Sequence, residues 1–221
     1  MILAYETSTN ICSVAFLDDD GEVFEKRIQG RSVHSDNVFL FTQELMKEHG
    51  FKINDLEAVL TSNGPGSYTG LRIAASALKG LLFGTDVALF AINTLASFAM
   101  GTDAKSGETV HAIIDARRTH LYVQSFEVGE LLSTHSKAEV MEISDFQNRT
   151  KEEDHIIGTG IGRISGDTLE GIKTYDESHI SARSLIKLYK LPNFGEYGIK
   201  TEPEALDPNY ISSSQVNNSN T

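Results

Sequence analysis

The sequence predicts an α/β protein built as two tandem lobes. Three observations carry that expectation: the chain opens on three apolar strand segments, these give way to alternating helix and strand, and the same order begins again after residue 101. A single doubly wound sheet is the alternative this element order leaves open.

Residues 2–8, 11–17 and 22–29 read as strands, and Asp18-Asp19-Asp20-Gly21 is turn chemistry that folds the second and third into a hairpin. A helix follows over about 35–49, stopped by Gly50. Its Val38, Phe39, Phe41, Leu45 and Met46 fill an apolar arc wider than one core contact requires, with Leu40 pointing out of it. Either part of that face serves a partner, or the arc packs under the sheet and Leu40 is a lone exposed leucine.

Residues 58–61 make a short buried strand, and Gly64-Pro65-Gly66-Ser67-Tyr68-Thr69-Gly70 breaks regular structure after it. A second helix spans about 71–83 and is apolar nearly all round. Arg72, Ser76 and Lys79 form its polar stripe, while Ala74, Ala75, Ala77 and Gly80 keep its surface thin enough for close helix packing. A strand over 87–92 and a short helix over 94–100 complete the first round. The second round reads as strands over 111–116, 121–128 and near 131–136, a helix near 144–149, a strand over 155–158 and a helix over 182–190.

Leu3 to Ser8 and Ala112 to Arg117 both close an apolar strand on a carboxylate, Glu6 and Asp115, a weak internal duplication. Three antiparallel strands followed by alternating helix and strand is the order of an RNase H-like unit. Two in tandem, with mixed sheets, make the actin/Hsp70/sugar-kinase architecture. The expected division is a first lobe over 1–100, a smaller second lobe over 101–211 and a disordered tail over 212–221, which holds no charge and one apolar residue.

Composition narrows the class further. The 221 residues carry 19 Lys+Arg against 31 Asp+Glu, a formal charge of −12, and the 40% hydrophobic content is that of a folded protein. The acid excess spreads over both halves, so neither is a basic platform, and a nucleic acid would be held mainly by another subunit. The single Cys12 makes neither an internal disulfide nor a cysteine zinc site. With no basic leader and no apolar run near membrane-spanning length, the chain is expected to be cytoplasmic and to have no membrane contact.

The duplication places the candidate chemistry in a cleft between lobes. Glu6, Thr7 and Ser8 face Asp115, Arg117 and Arg118 there, as acids and a hydroxyl loop that could meet metal and phosphate. Two arginines stand where a glycine phosphate loop is expected and remove the close backbone approach glycine allows. This reads as a vestigial nucleotide cleft. Gly64 to Gly70 matches neither a Walker loop nor the dinucleotide fingerprint, leaving a rigid structural turn or an anion site at a helix start. None of the seven histidines falls in a metal-binding spacing, so no metal site is expected. Three functional classes remain: a binding subunit, an autonomous small ATPase or sugar kinase using Glu6 and Asp115, and a dinucleotide enzyme built around Gly64 to Gly70.

Several of these segments carry a resemblance. Ile2-Leu3-Ala4-Tyr5-Glu6-Thr7-Ser8 with Cys12-Ser13-Val14-Ala15, the stretch from Gly64 through Gly70-Leu71-Arg72-Ile73, Asp115-Ala116-Arg117-Arg118 and Pro208-Asn209-Tyr210-Ile211 resemble, in order and over nearly the whole chain, the bacterial TsaB (YeaZ) family. The chain departs from that pattern with Glu6 for aspartate, Tyr68 for phenylalanine and Ser212 for arginine. The resemblance implies an actin-like pseudoenzyme, an essential non-catalytic subunit of the complex that transfers a threonylcarbamoyl group to the adenosine beside the anticodon of tRNAs reading codons that begin with A. It implies a TsaD-like catalytic subunit and a TsaE-like ATPase as partners, a homodimer when alone, and tRNA contact only through the complex. ATP, ADP and metal would sit on those partners, with no cofactor on this chain. It also implies that helices 35–49 and 71–83 form the partner interface, for which Val38, Leu40, Phe41, Leu45, Arg72, Ala75, Leu78, Lys79 and Leu82 are the candidates. Replacing Leu78 by Glu is expected to break assembly and spare the fold.

Overall fold

The computed structural model describes residues 1–209 and 211. The tail over 212–221, expected to be disordered, and Tyr210 of the late motif lie outside the described residues. The chain begins with β1 (Ile2–Glu6), β2 (Ile11–Leu17) and β3 (Val23–Gln29), an antiparallel meander. Asp18 makes its hairpin turn by accepting the Glu22 N–H on its carboxylate at 2.8 Å. Then follow α1 (His34–His49), β4 (Ala58–Ser62), α2 (Tyr68–Leu81), β5 (Ala88–Ile92) and α3 (Thr94–Ala99). Gly50 closes α1 in the left-handed conformation at φ 70° and donates to the Met46 carbonyl, the helix stop the sequence predicts.

The second round contains β6 (Thr109–Asp115), β7 (His120–Val128), β8 (Leu132–Thr134), β9 (Glu139–Glu142), α4 (Ile143–Arg149), β10 (His155–Ile157), β11 (Lys173–Tyr175), α5 (Ala182–Tyr189) and β12 (Gly198–Thr201). Two mixed sheets result. The first has the order β12-β5-β4-β1-β2-β3 and the second β11-β10-β6-β7-β8, with β9 also paired to β7. β1 and β6 hold the same place: each runs antiparallel to the next strand and parallel to the later strand on its other side. The duplication read from Glu6 and Asp115 is therefore a duplication of topology, and the single-sheet alternative is overturned.

Three strands escape the sequence reading. β9, β11 and β12 span three or four residues each, too short to show a period of two. β9 continues the line of β8 along β7, so the third strand of the second sheet is broken in two. β12 crosses back to pair antiparallel with β5 in the first sheet, and α5 packs across the first sheet's strands. α5 and β12 therefore serve the first sheet, although the expected division assigned them to the second lobe.

Alternation along β1 explains how one strand serves two cores. Leu3 and Tyr5 face α1 and α2, while Ile2 and Ala4 face the other way, into a continuous apolar cluster reaching through α3 and α5 to Val110, Ala112 and Phe126 of the second sheet. Polar ties add to this shared core. Arg27 donates through Nε to the Ile180 carbonyl at 3.0 Å, the Ala182 N–H reaches Ser13 Oγ at 2.8 Å, and Arg183 pairs with Glu25 at 3.1 Å.

Candidate functional site

The loop after β1 is held from below by Glu6. Its side chain is fully buried, and one oxygen, Oε1, accepts both the Ser8 N–H at 2.7 Å and the Ser8 hydroxyl at 2.5 Å. Burial pushes the Glu6 pKa up to about 7, although the two bonds from Ser8 pull it back toward the ionised form. Glu6 Oε2 and Thr7 Oγ1 are buried with no hydrogen-bond partner among the described residues.

The Gly64 to Gly70 segment lies directly on that loop. Ser67 N–H donates to the Ser8 carbonyl at 2.6 Å. A Cβ on Gly66 would stand 2.4 Å from that same carbonyl oxygen, and one on Gly70 would stand 2.0 Å from the carbonyl oxygen of Thr7. Glycine is required at both positions because backbone meets backbone there. Ser67 caps α2 by accepting the Gly70 N–H at 3.2 Å, so the helix starts at Tyr68 instead of near Leu71, with the last three residues of the expected irregular turn inside it. The Gly64 carbonyl accepts the Thr94 N–H, and Asn209 N–H reaches the Asn63 carbonyl at 2.7 Å, so the late motif anchors here too. The segment is a junction between chain strands, with Ser67 N–H already committed to a protein carbonyl.

Across the cleft, Asp115 ends β6. Its Oδ1 accepts the Arg117 N–H and the Arg163 guanidinium, each at 2.8 Å, and Arg163 also bonds the Arg118 carbonyl. Arg117 and Arg118 adopt φ of 69° and 53°, the left-handed region that costs an L-residue roughly 1 kcal/mol. The turn thus keeps a glycine-like backbone without glycine. Arg163, the cation that answers Asp115, is a residue the sequence reading missed: nothing in its local pattern marks it, and only the fold brings it across 48 positions.

A cavity of about 980 Å³ opens between the lobes, lined by Ser8, Thr9, Tyr68, Asp115, Arg117 and Glu177, among others. Glu6, Thr7 and Arg118 are not on its wall. Of the two carboxylates expected to face each other, one is sealed beneath the lining and the other is paired with Arg163. The donor set does not fit a metal-bound nucleotide held between them. Among the described residues, no group of three or more His, Cys, Asp or Glu side chains is placed to hold a metal.

The candidate interface divides sharply. Val38, Leu45, Ala75, Leu78 and Leu82 are buried in the core between the first sheet and the two helices, with Leu78 at 0% exposure, and Phe41 is half-buried against them. These residues are core, and the expectation that glutamate at 78 spares the fold is overturned. α1 packs on β2, β3 and α2, and the apolar residues of α2 join the same cluster under the first sheet, so a helix apolar nearly all round spends its leucines inside. What remains outside is Phe39 and Leu40 on α1, both nearly half exposed, with Tyr68 at 55% and Phe83 at 80% at the two ends of α2. Arg72 and Lys79 are exposed between them, the Arg72 guanidinium lying 3.9 Å over the Tyr68 ring. Phe39, Tyr68 and Phe83 are the surface residues the candidate set omitted; a register of every third or fourth residue along α2 from Tyr68 would have found two of them.

Similarity to known proteins agrees with this fold. The family described as tRNA N6-adenosine threonylcarbamoyltransferase (TsaD) matches residues 29–157, more than half of the chain. The tRNA threonylcarbamoyladenosine biosynthesis protein TsaB of Escherichia coli K12 is 34% identical over 130 residues, which is 58% of this chain and 56% of that protein. Its counterpart in Haemophilus influenzae is 33% identical over 122 residues, 55% of this chain and 51% of that protein. The chain thus spans about half the length of these curated relatives in the matched stretches. The solved structure of YeaZ from Pseudomonas aeruginosa matches with a TM-score of 0.76 at 25% identity, covering 95% of this chain and 99% of that one. An α/β chain of two RNase H-like sheets, matched across more than half its length by the TsaD family model and along nearly all of it by YeaZ, belongs to that family, in its TsaB/YeaZ branch.

Proposed function

We propose that this chain is the non-catalytic subunit of a complex that makes threonylcarbamoyladenosine in tRNA. The observation that carries this reading is the state of the two cleft carboxylates: Glu6 is sealed under the loop it holds, and Asp115 is paired with Arg163. A chain whose two matched cleft carboxylates are both engaged within its own fold contributes surface to the reaction. The docking surface is the outer side of α1 and α2, where Leu40, Tyr68, Arg72, Lys79 and Phe83 are exposed. A TsaD-type subunit covers it in the working complex, and a second copy of this chain covers it when the chain is alone. ATP, ADP and metal belong to the TsaD-type and TsaE-type partners, and tRNA is held by the complex, in keeping with the net charge of −12. The reading places the protein in the cytoplasm; among the described residues no helix is long and apolar enough to cross a membrane.

The test is size-exclusion chromatography of the chain with a TsaD-type subunit, alongside ATP turnover by the chain alone. Co-elution with no turnover supports the reading. Turnover that is lost in Asp115→Ala would instead favour the autonomous ATPase or kinase.

A further inference from the structure

The buried acid at position 6 has no role in the docking reading, yet it is wired to the docking helix. Glu6 Oε1 grips Ser8 through two hydrogen bonds, the Ser8 carbonyl receives Ser67 N–H at 2.6 Å, and Ser67 caps α2 through Gly70 N–H. Gly66 and Gly70 lie so close to the Ser8 and Thr7 carbonyls that no side chain fits between them. A shift of this loop therefore reaches the first turn of α2 directly, and that turn carries Tyr68 and leads into Arg72. We propose that Glu6 is a positioning residue for the docking helix: its carboxylate fixes the Thr7–Ser8 loop against the start of α2, and protonation loosens that grip and the docking face with it. The proposal rests on α2 being the docking helix.

The surroundings of Glu6 leave it free to act as the titrating group. Burial raises its pKa to about 7, so roughly four-fifths of the population changes protonation state between pH 6 and pH 8. The groups packed on it from neighbouring elements are Ser8 from its own loop, Ser62 from β4 and Cys12 from β2. Burial pushes the Cys12 thiol up to about 12, so it stays neutral in this window. His34 approaches from α1, its Nε2 3.0 Å from the Ile11 carbonyl at the start of β2, and burial lowers its pKa from the ordinary histidine value. The ionised Glu6 makes charge-assisted bonds to Ser8, which are about twice as strong as those to a neutral acid.

Two readouts test this on the full chain. The first follows the backbone amide resonances of Ser67 and Gly70 from pH 5.5 to pH 8.5. The wild type should titrate with a midpoint near 7, Glu6→Gln should be flat, and Ser8→Ala should titrate with reduced amplitude. The second measures affinity for a TsaD-type subunit at pH 6 and pH 8. The wild type should bind about fivefold more tightly at pH 8, a coupling at the low end of the usual range, and Glu6→Gln should bind alike at both. Amides that titrate equally in Glu6→Gln, a Ser8→Ala titration of unreduced amplitude, or the same pH dependence of affinity in both proteins would overturn the proposal. A wild type that binds the subunit at neither pH overturns the docking reading instead, and the amide titration then decides the role of Glu6.

Discussion

Leu78 and Leu40 sit on the two helices assigned to docking, and truncating each to alanine should separate core from surface. Leu78 is 0% exposed within the cluster that also holds Leu3, Tyr5, Val38 and Leu45. Removing three side-chain carbons there leaves a cavity among neighbours that relax only in part, at about 2–5 kcal/mol. For a chain of this size each kcal/mol moves the melting midpoint by roughly 3 °C, so Leu78→Ala should melt about 6–15 °C below the wild type. Leu40, at 45% exposure, keeps water on one side already, and Leu40→Ala should stay within about 0.5 kcal/mol. The order reverses for assembly, where Leu40→Ala weakens binding to a TsaD-type subunit while the fold is intact. Thermal unfolding by circular dichroism and isothermal titration of the partner supply both halves. A Leu78→Ala protein with an unchanged midpoint, or a Leu40→Ala protein that binds normally and melts early, would refute this assignment of inner and outer faces.

Gly70→Ala should destabilise by about 1–3 kcal/mol in urea unfolding, because the added carbon would stand 2.0 Å from the Thr7 carbonyl and α2 would have to move away. Arg163→Ala should cost less than about 1 kcal/mol, since its pair with Asp115 is partly solvent-exposed, and a loss above 2 kcal/mol in the same assay would contradict that weight. Glu6 is worked through proton linkage. Its folded pKa of about 7 lies above the ordinary 4.5, so the folded state binds the proton more tightly and the stabilisation is complete below pH 4.5. That contribution is lost as pH rises through 7, up to about 3 kcal/mol, and Glu6→Gln should remove this part of the slope from urea midpoints measured between pH 4.5 and 8.

The sequence conveyed topology better than surface. β1 and β6 were legible because each is an apolar run ending on an acid, and the helix stop at Gly50 was legible because only its φ of 70° calls for glycine. β12 was not, since four residues on a sheet edge gain their identity from pairing with β5. Which interface candidates reach the surface was half legible. A helical wheel shows that α2 carries more apolar surface than one contact uses, but it cannot show that the sheet and α1 both press on the helix and claim Ala75, Leu78 and Leu82. The cleft failed in a similar way. Glu6 and Asp115 have matching places in the two sheets, while their different fates depend on Ser8 nearby and on Arg163, which only folding brings close.

Reconstitution tests the central claim most directly: TsaD-type and TsaE-type subunits, ATP and threonylcarbamoyl adenylate as donor, with tRNA read by nucleoside mass spectrometry. Threonylcarbamoyladenosine should form only when this chain is added, and the Asp115→Ala chain should support it as well as the wild type. Equal modification without the chain, or modification that disappears with Asp115→Ala while the variant remains folded and bound, would contradict a non-catalytic subunit acting through its helix face.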